Sequence, residues 1–153
     1  MGRDELSSIP AAVFHTVLFA YQKALKDVLG SGHAALVPPV LTVIKKINEE
    51  YHVNLAEGET LNEAFDNLSR ILVDTGIASA VSFEKLGGNC YKFIINDCVF
   101  ADPTHRLLQP EDVTCPLAIL AMVVYEKISG KKTKFTYSKY TEKGTETIIE
   151  PLP

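Results

Sequence analysis

The spacing of apolar residues changes after Gly76, and this change constrains the fold more than any other feature of the chain. Before Gly76, apolar residues recur every three or four positions, which is typical of amphipathic helices. After it, they alternate with polar residues in short runs, which is typical of strands, apart from the apolar segment from Leu117 to Val124. We therefore expect an α+β fold in which a helical layer packs on an antiparallel sheet.

The first half of the chain predicts three helices, which are marked by start and stop signals. Pro10 follows the capping residue Ser8, and proline is favoured in the first turn of a helix. Thr60 and Glu63 form a capping box. The expected helices run from Pro10 to the Gly30-Ser31-Gly32 segment, from Pro39 to about Tyr51, and from Thr60 to Gly76.

The second half predicts a hairpin, a helix and a second hairpin. The turn at Gly87-Gly88-Asn89 supplies the positive φ angles that a hairpin needs, and a helix that is apolar on all sides is expected to be buried. The expected elements are strands Val81–Glu84 and Cys90–Ile95, a helix from Pro116 to about Ile128, and strands Lys132–Tyr140 and Thr145–Glu150. Together they predict a four-stranded antiparallel sheet within a single domain spanning residues 1–153.

Charge and apolar content argue against two classes of function. The net charge of the 153 residues is −4, whereas a nucleic-acid-binding protein needs a basic surface. The longest uncharged runs, Leu6–Gln22 and Val28–Ile44, are interrupted by Pro, Ser or Gly and are shorter than the ~20 apolar residues of a spanning helix. An odd number of cysteines and an N-terminus with charges of both signs predict a cytoplasmic protein without a disulfide framework. We expect no nucleic-acid partner and no membrane span.

The strongest candidate for chemistry lies between the first hairpin and the fourth helix. Cys98, His105 and Cys115 fall within this segment, and thiolate and imidazole ligands suit zinc. The fourth ligand would be Asp97, Asp102, Cys90 or water. The spacing is not that of a standard zinc finger, so the alternative is a pair of buried cysteines and a loop histidine that is hydrogen-bonded to a carbonyl group.

Cys115 has a second interpretation, because it precedes the expected start of the fourth helix. The helix dipole favours a thiolate there, which predicts a reactive or acylated thiol. With His105 as the base and Asp102 as the orienting group, Cys115 would be a nucleophile. The alternative is that Cys115 simply begins a helix that packs into the core. We assign no catalytic residue, because no enzyme signature or oxyanion loop accompanies these side chains.

A family resemblance rests on the second half of the chain. It is formed by the segment Gly88-Asn-Cys-Tyr-Lys-Phe-Ile-Ile-Asn-Asp-Cys98, by Cys115-Pro116 opening an apolar helix that ends in Gly130-Lys131-Lys132, and by the closing hairpin. These features resemble the 4-vinyl reductase domain superfamily, which is related to subunits of the TRAPP transport particle. Members typically have a Cys and a Gly-Asp-x-x-Cys in the last hairpin, and this chain lacks both. The resemblance therefore implies no metal cluster built on those cysteines, and it does not imply reductase activity.

The resemblance implies a pocket for an apolar ligand between helices and sheet, and commonly a dimer. The candidate lining residues are Phe14, His15, Leu18, Tyr21, Ile119 and Val123. Such a lining favours a lipid-like or polycyclic molecule, with His15 as the nearest polar group, although the same side chains also suit an ordinary core. We expect a hydrophobic-ligand-binding or sensor-like domain that forms a homodimer through the first and fourth helices. Two alternatives stay open: a structural or assembly subunit that acts through apolar helical interfaces, and a small zinc- or thiol-dependent enzyme.

Overall fold

Four helices and one antiparallel sheet make up the part of the chain that the structure, a computed structural model, describes: residues 3–29, 32–99 and 115–153. This is the α+β fold that the sequence predicts. The elements in chain order are α1 (Arg3–Leu29), α2 (Gly32–Tyr51), α3 (Leu61–Asp74), β1 (Ala80–Lys85), β2 (Tyr91–Asn96), α4 (Pro116–Ser129), β3 (Thr133–Tyr140) and β4 (Gly144–Pro151).

The two hairpins join into one antiparallel sheet, as expected, and the structure gives the strand order β1-β2-β4-β3. Alternate residues of β2, namely Tyr91, Phe93 and Ile95, are buried on the face that packs against the helices. The ring of Phe65 on α3 stacks on Phe83 of β1 with 3.9 Å between centroids. Neighbouring strands are also joined by ion pairs between Lys92 and Glu84, between Lys134 and Glu150, and between Lys139 and Glu146.

Helix α4 lies at the centre of the fold, as its uniformly apolar sequence predicts. It contacts α2, α3 and β3, and its side chains form much of one continuous core. The buried residues of α4 are Leu117, Ala118, Ile119, Ala121, Met122, Val123, Val124 and Tyr125. Gly130 ends the helix in the left-handed conformation with φ of 71°, which glycine adopts without strain.

Gly144 allows the two central strands to approach closely. It opens β4 and pairs with Asn96 of β2. A Cβ atom at this position would overlap the carbonyl oxygen of Ile95, so a larger residue would push the two hairpins apart.

Two helix starts differ from those that the sequence predicts. Helix α1 begins at Arg3 rather than near Pro10, and α2 begins at Gly32 rather than Pro39. A proline inside a helix removes one backbone hydrogen bond, but α2 contains both Pro38 and Pro39. Val37 precedes these prolines and is 1% exposed in the core, so tertiary packing stabilises the turns that local preference disfavours.

Candidate functional site

The outward side of α1 has a row of exposed apolar side chains. Phe14 is 60% exposed, Tyr21 is 67% exposed and Val28 is 80% exposed, with Val17 and Ala24 also at the surface between them. We call these five residues, Phe14, Val17, Tyr21, Ala24 and Val28, the α1 stripe. Successive members are separated by three, four, three and four residues, a spacing that keeps them on one side of a helix.

The opposite side of α1 is already packed against the protein. His15 is 1% exposed, Leu18, Phe19 and Leu25 are half-buried, and α1 contacts α2 and α4. The sequence shows that more than one face of this helix is apolar, and the structure buries only one of them. The α1 stripe is therefore not part of the core of the described chain.

The six predicted ligand-lining residues separate into two groups. His15, Ile119 and Val123 are buried, and Leu18 is half-buried. Phe14 and Tyr21 lie at the surface in the α1 stripe. The structure therefore does not bring the two aromatic rings together with Ile119 and Val123 in one enclosed surface.

The predicted zinc ligands are only partly described. Cys98 is half-buried just beyond β2 and packs against the core, while Cys115 is buried at the start of α4. His105 and Asp102 lie outside the described residues. Among the residues that are described, no group of three or more His, Cys, Asp or Glu side chains is arranged to hold a metal ion. Zinc stays a prediction.

Two of the proposed fourth ligands have other surroundings. The Ser79 hydroxyl donates to Oδ2 of Asp97 at 2.6 Å. Cys90 precedes β2 and Cys98 follows it, so the length of this strand separates the two residues by roughly 20 Å at the usual rise per residue. That distance is too long for Cys90 and Cys98 to bind the same ion.

The surroundings of Cys115 favour the protonated thiol. Burial raises the pKa of Cys115, against the opposing effects of a hydrogen bond from Thr145 and of the backbone N–H groups of Ala118 and Leu117. The Thr145 hydroxyl donates to the sulfur at 3.5 Å. The expected effect of the helix N-terminus is therefore present, but loss of solvent outweighs it, which counts against a reactive thiolate at neutral pH.

A separate open cleft lies at the end of the sheet, between the β1–β2 turn and the end of the described chain. Its volume is about 570 Å³. The residues that line it are Gly88, Asn89, Lys131, Lys132, Pro151, Leu152 and Pro153. None of the predicted ligand or metal residues is among them.

Comparison with protein-family models, with curated proteins and with solved structures found no match. The resemblance to the 4-vinyl reductase domain superfamily therefore stays a prediction. In the described residues, no helix combines the length and the apolar character needed to cross a membrane.

The sequence interpretation assigned Phe14 and Tyr21 to a ligand pocket and expected an apolar interface on the first helix, but it did not single out the α1 stripe. Its signal is the regular spacing from Phe14 to Val28. Leu18 and Leu25 also fit a helical period, so the sequence alone does not distinguish the packed face from the exposed one. Ala24 adds little to the signal, because alanine is common on both faces of helices.

Proposed function

We propose that this protein is an assembly domain that forms a homodimer through the α1 stripe. The observation that supports this function is a row of exposed apolar side chains on a helix whose other face is already packed. Extended apolar patches on globular proteins mark interaction surfaces, because leaving them in water is unfavourable.

The size of the surface supports a protein partner. Phe14 and Tyr21 together leave roughly 250 Å² of side chain exposed if each ring has the usual area of an aromatic residue. Four neighbouring apolar side chains are also 51–80% exposed, namely Val13, Val17, Val28 and Leu29. With them the apolar area reaches roughly 600 Å², at the upper end for a monomer. A standard interface buries about 800 Å² per partner. Polar residues around the apolar surface would supply the remaining area.

Binding of a hydrophobic small molecule is the second candidate. His15 supports it, because a buried polar side chain next to half-buried Leu18 is the kind of group that orients a ligand in an apolar site. The burial of Ile119 and Val123 is also that of a packed core. Ile119→Ala separates these two interpretations, because truncation costs little stability when the side chain lines an existing cavity.

The assembly function is tested by adding a charge to the stripe. Val17→Lys places an ammonium group in the centre of the surface, and Thr16→Lys is its control, because Thr16 is exposed about a quarter of a turn away. We expect wild type and Thr16→Lys to sediment as dimers at micromolar concentration and Val17→Lys to sediment as a monomer with unchanged circular dichroism. A wild-type protein that stays monomeric throughout this range would refute the proposal.

A further inference from the structure

We propose that two copies of α1 pair as antiparallel helices, with Phe14 of each copy packed against Ala24 of the other. This inference rests on the proposed function, because it names the partner as a second copy of this chain and fixes the orientation of the pair. It follows from the spacing and the sizes of the side chains in the α1 stripe.

The spacing of the stripe is that of a coiled-coil seam. Alternating steps of three and four residues give a period of about 3.5 residues, which keeps a seam facing a partner helix over several turns. Phe14, Tyr21 and Val28 occupy the a positions of this heptad, and Val17 and Ala24 occupy the d positions. All five are at the surface of α1, and none is charged.

The side-chain sizes select the antiparallel orientation. In a parallel pair each residue meets its own copy, so Phe14 would meet Phe14 and Ala24 would meet Ala24, leaving crowding at one level and a gap at another. In an antiparallel pair the a positions meet d positions, so Phe14 meets Ala24 and Tyr21 meets Val17. Each ring then lies against a small side chain, and the interface approaches the close packing of a protein interior.

The residues around the seam fit the same arrangement. A two-fold axis through the level of Phe19 exchanges the two copies, as a closed dimer requires. Ala20 lies beside this axis, is exposed and has a side chain small enough for close approach. Asp27 lies at a g position beside the seam, and its exposed ion pair with Lys23, with 3.9 Å between Nζ and Oδ2, supplies polar groups toward the rim.

Two single-cysteine variants distinguish the orientations. In the antiparallel pair the two copies of Ala20 are offset by about 3 Å along the helix axis, and those of Ala24 by about 15 Å. In a parallel pair the two copies of Ala24 face each other, whereas those of Ala20 lie on opposite sides of the seam. A disulfide needs Cα atoms closer than about 7 Å.

The experiment oxidises the variants Ala20→Cys and Ala24→Cys. Both are made in a background of Cys90→Ser and Cys98→Ser, because these two cysteines are partly exposed. Cys115 is kept, because it is buried. Non-reducing gels measure the covalent dimer, and sedimentation of the reduced proteins measures the non-covalent one. We expect both variants to sediment as dimers and only Ala20→Cys to cross-link.

Each other result overturns a defined part of the inference. Cross-linking of Ala24→Cys alone means a parallel pair, and cross-linking of both variants means no fixed orientation. A dimer in which neither variant cross-links pairs in another register of the α1 stripe or through another surface, and either result overturns the contact of Phe14 with Ala24. If the background protein and the wild type both sediment as monomers, the proposed function fails together with this inference.

Discussion

Replacing Ile119 by alanine tests whether α4 is core or the wall of a ligand pocket. Ile119 is 3% exposed, and the adjacent Ala118 is fully buried. The change removes three carbon atoms, which at ~0.8 kcal/mol per buried CH₂ gives a transfer free energy of about 2.4 kcal/mol. The cavity left in a packed core adds to this loss, so we expect the free energy of unfolding to fall by ~2–5 kcal/mol.

The measurement is urea unfolding of the wild type and of Ile119→Ala, in buffer alone and with a set of fatty acids and polycyclic compounds. In thermal melts the same loss corresponds to about 2–4 °C in Tm per kcal/mol for a chain of this size. Val43→Ala is the control, because Val43 is 54% exposed on α2 and its truncation should change the stability by no more than ~0.5 kcal/mol.

A small loss would refute the packed-core reasoning. If Ile119 lines an existing cavity, its truncation removes few contacts and should cost less than ~1 kcal/mol. A bound ligand would then stabilise the wild type, by ~2.7 kcal/mol at one hundred times its Kd, and Ile119→Ala would change that increment. The combination of a small loss with ligand-dependent stabilisation would favour the ligand-binding function over the assembly function.

Three further predictions concern the remaining structural features. Gly144→Ala should lower the free energy of unfolding, measured by urea melts, by ~3 kcal/mol or more, because the added Cβ would overlap the backbone of the neighbouring strand. Gly87→Ala is the control: Gly87 has open space around it, so this change should leave the free energy of unfolding nearly unchanged. Glu126→Ala should lower the free energy of unfolding by ~1–3 kcal/mol, because Oε1 of Glu126 accepts hydrogen bonds from the backbone N–H and the hydroxyl of Thr133 at 2.9 and 3.0 Å. Glu126→Gln keeps an acceptor and should therefore lose less stability in the same urea melts. Equal losses for the two variants would contradict this account. Cys115 should lower the free energy of unfolding in alkaline solution. Burial raises the pKa of its thiol in the folded state above the ordinary 9.0. Above pH 9.0 the unfolded chain therefore loses a proton that the folded chain keeps, and the free energy of unfolding falls as pH rises. The measurement is a pH series of urea melts of the wild type and of Cys115→Ala. If the free energy of unfolding of Cys115→Ala falls with pH as steeply as that of the wild type, the thiol is not responsible.

Elements whose signals are local could be predicted from the sequence. Thr60 accepts a hydrogen bond from the backbone N–H of Glu63 at 3.2 Å, as the capping box predicts, and Gly88 adopts the positive φ of 67° that its turn requires. Helix α4 is buried because every side of it is apolar. In each case neighbouring residues in the chain contain the information, so distant contacts were not needed.

Only the tertiary structure determined which local preferences the chain does not follow and which face of α1 carries the α1 stripe. Pro39 predicts a helix start, but packing of Val37 in the core extends α2 through it. Cys115 lies where a helix dipole favours a thiolate, but burial raises its pKa. The sequence determined that α1 is apolar on more than one face. Only the positions of α2 and α4 determined which face was buried and left Phe14 and Tyr21 exposed, because burial depends on contacts between residues that are far apart in the chain.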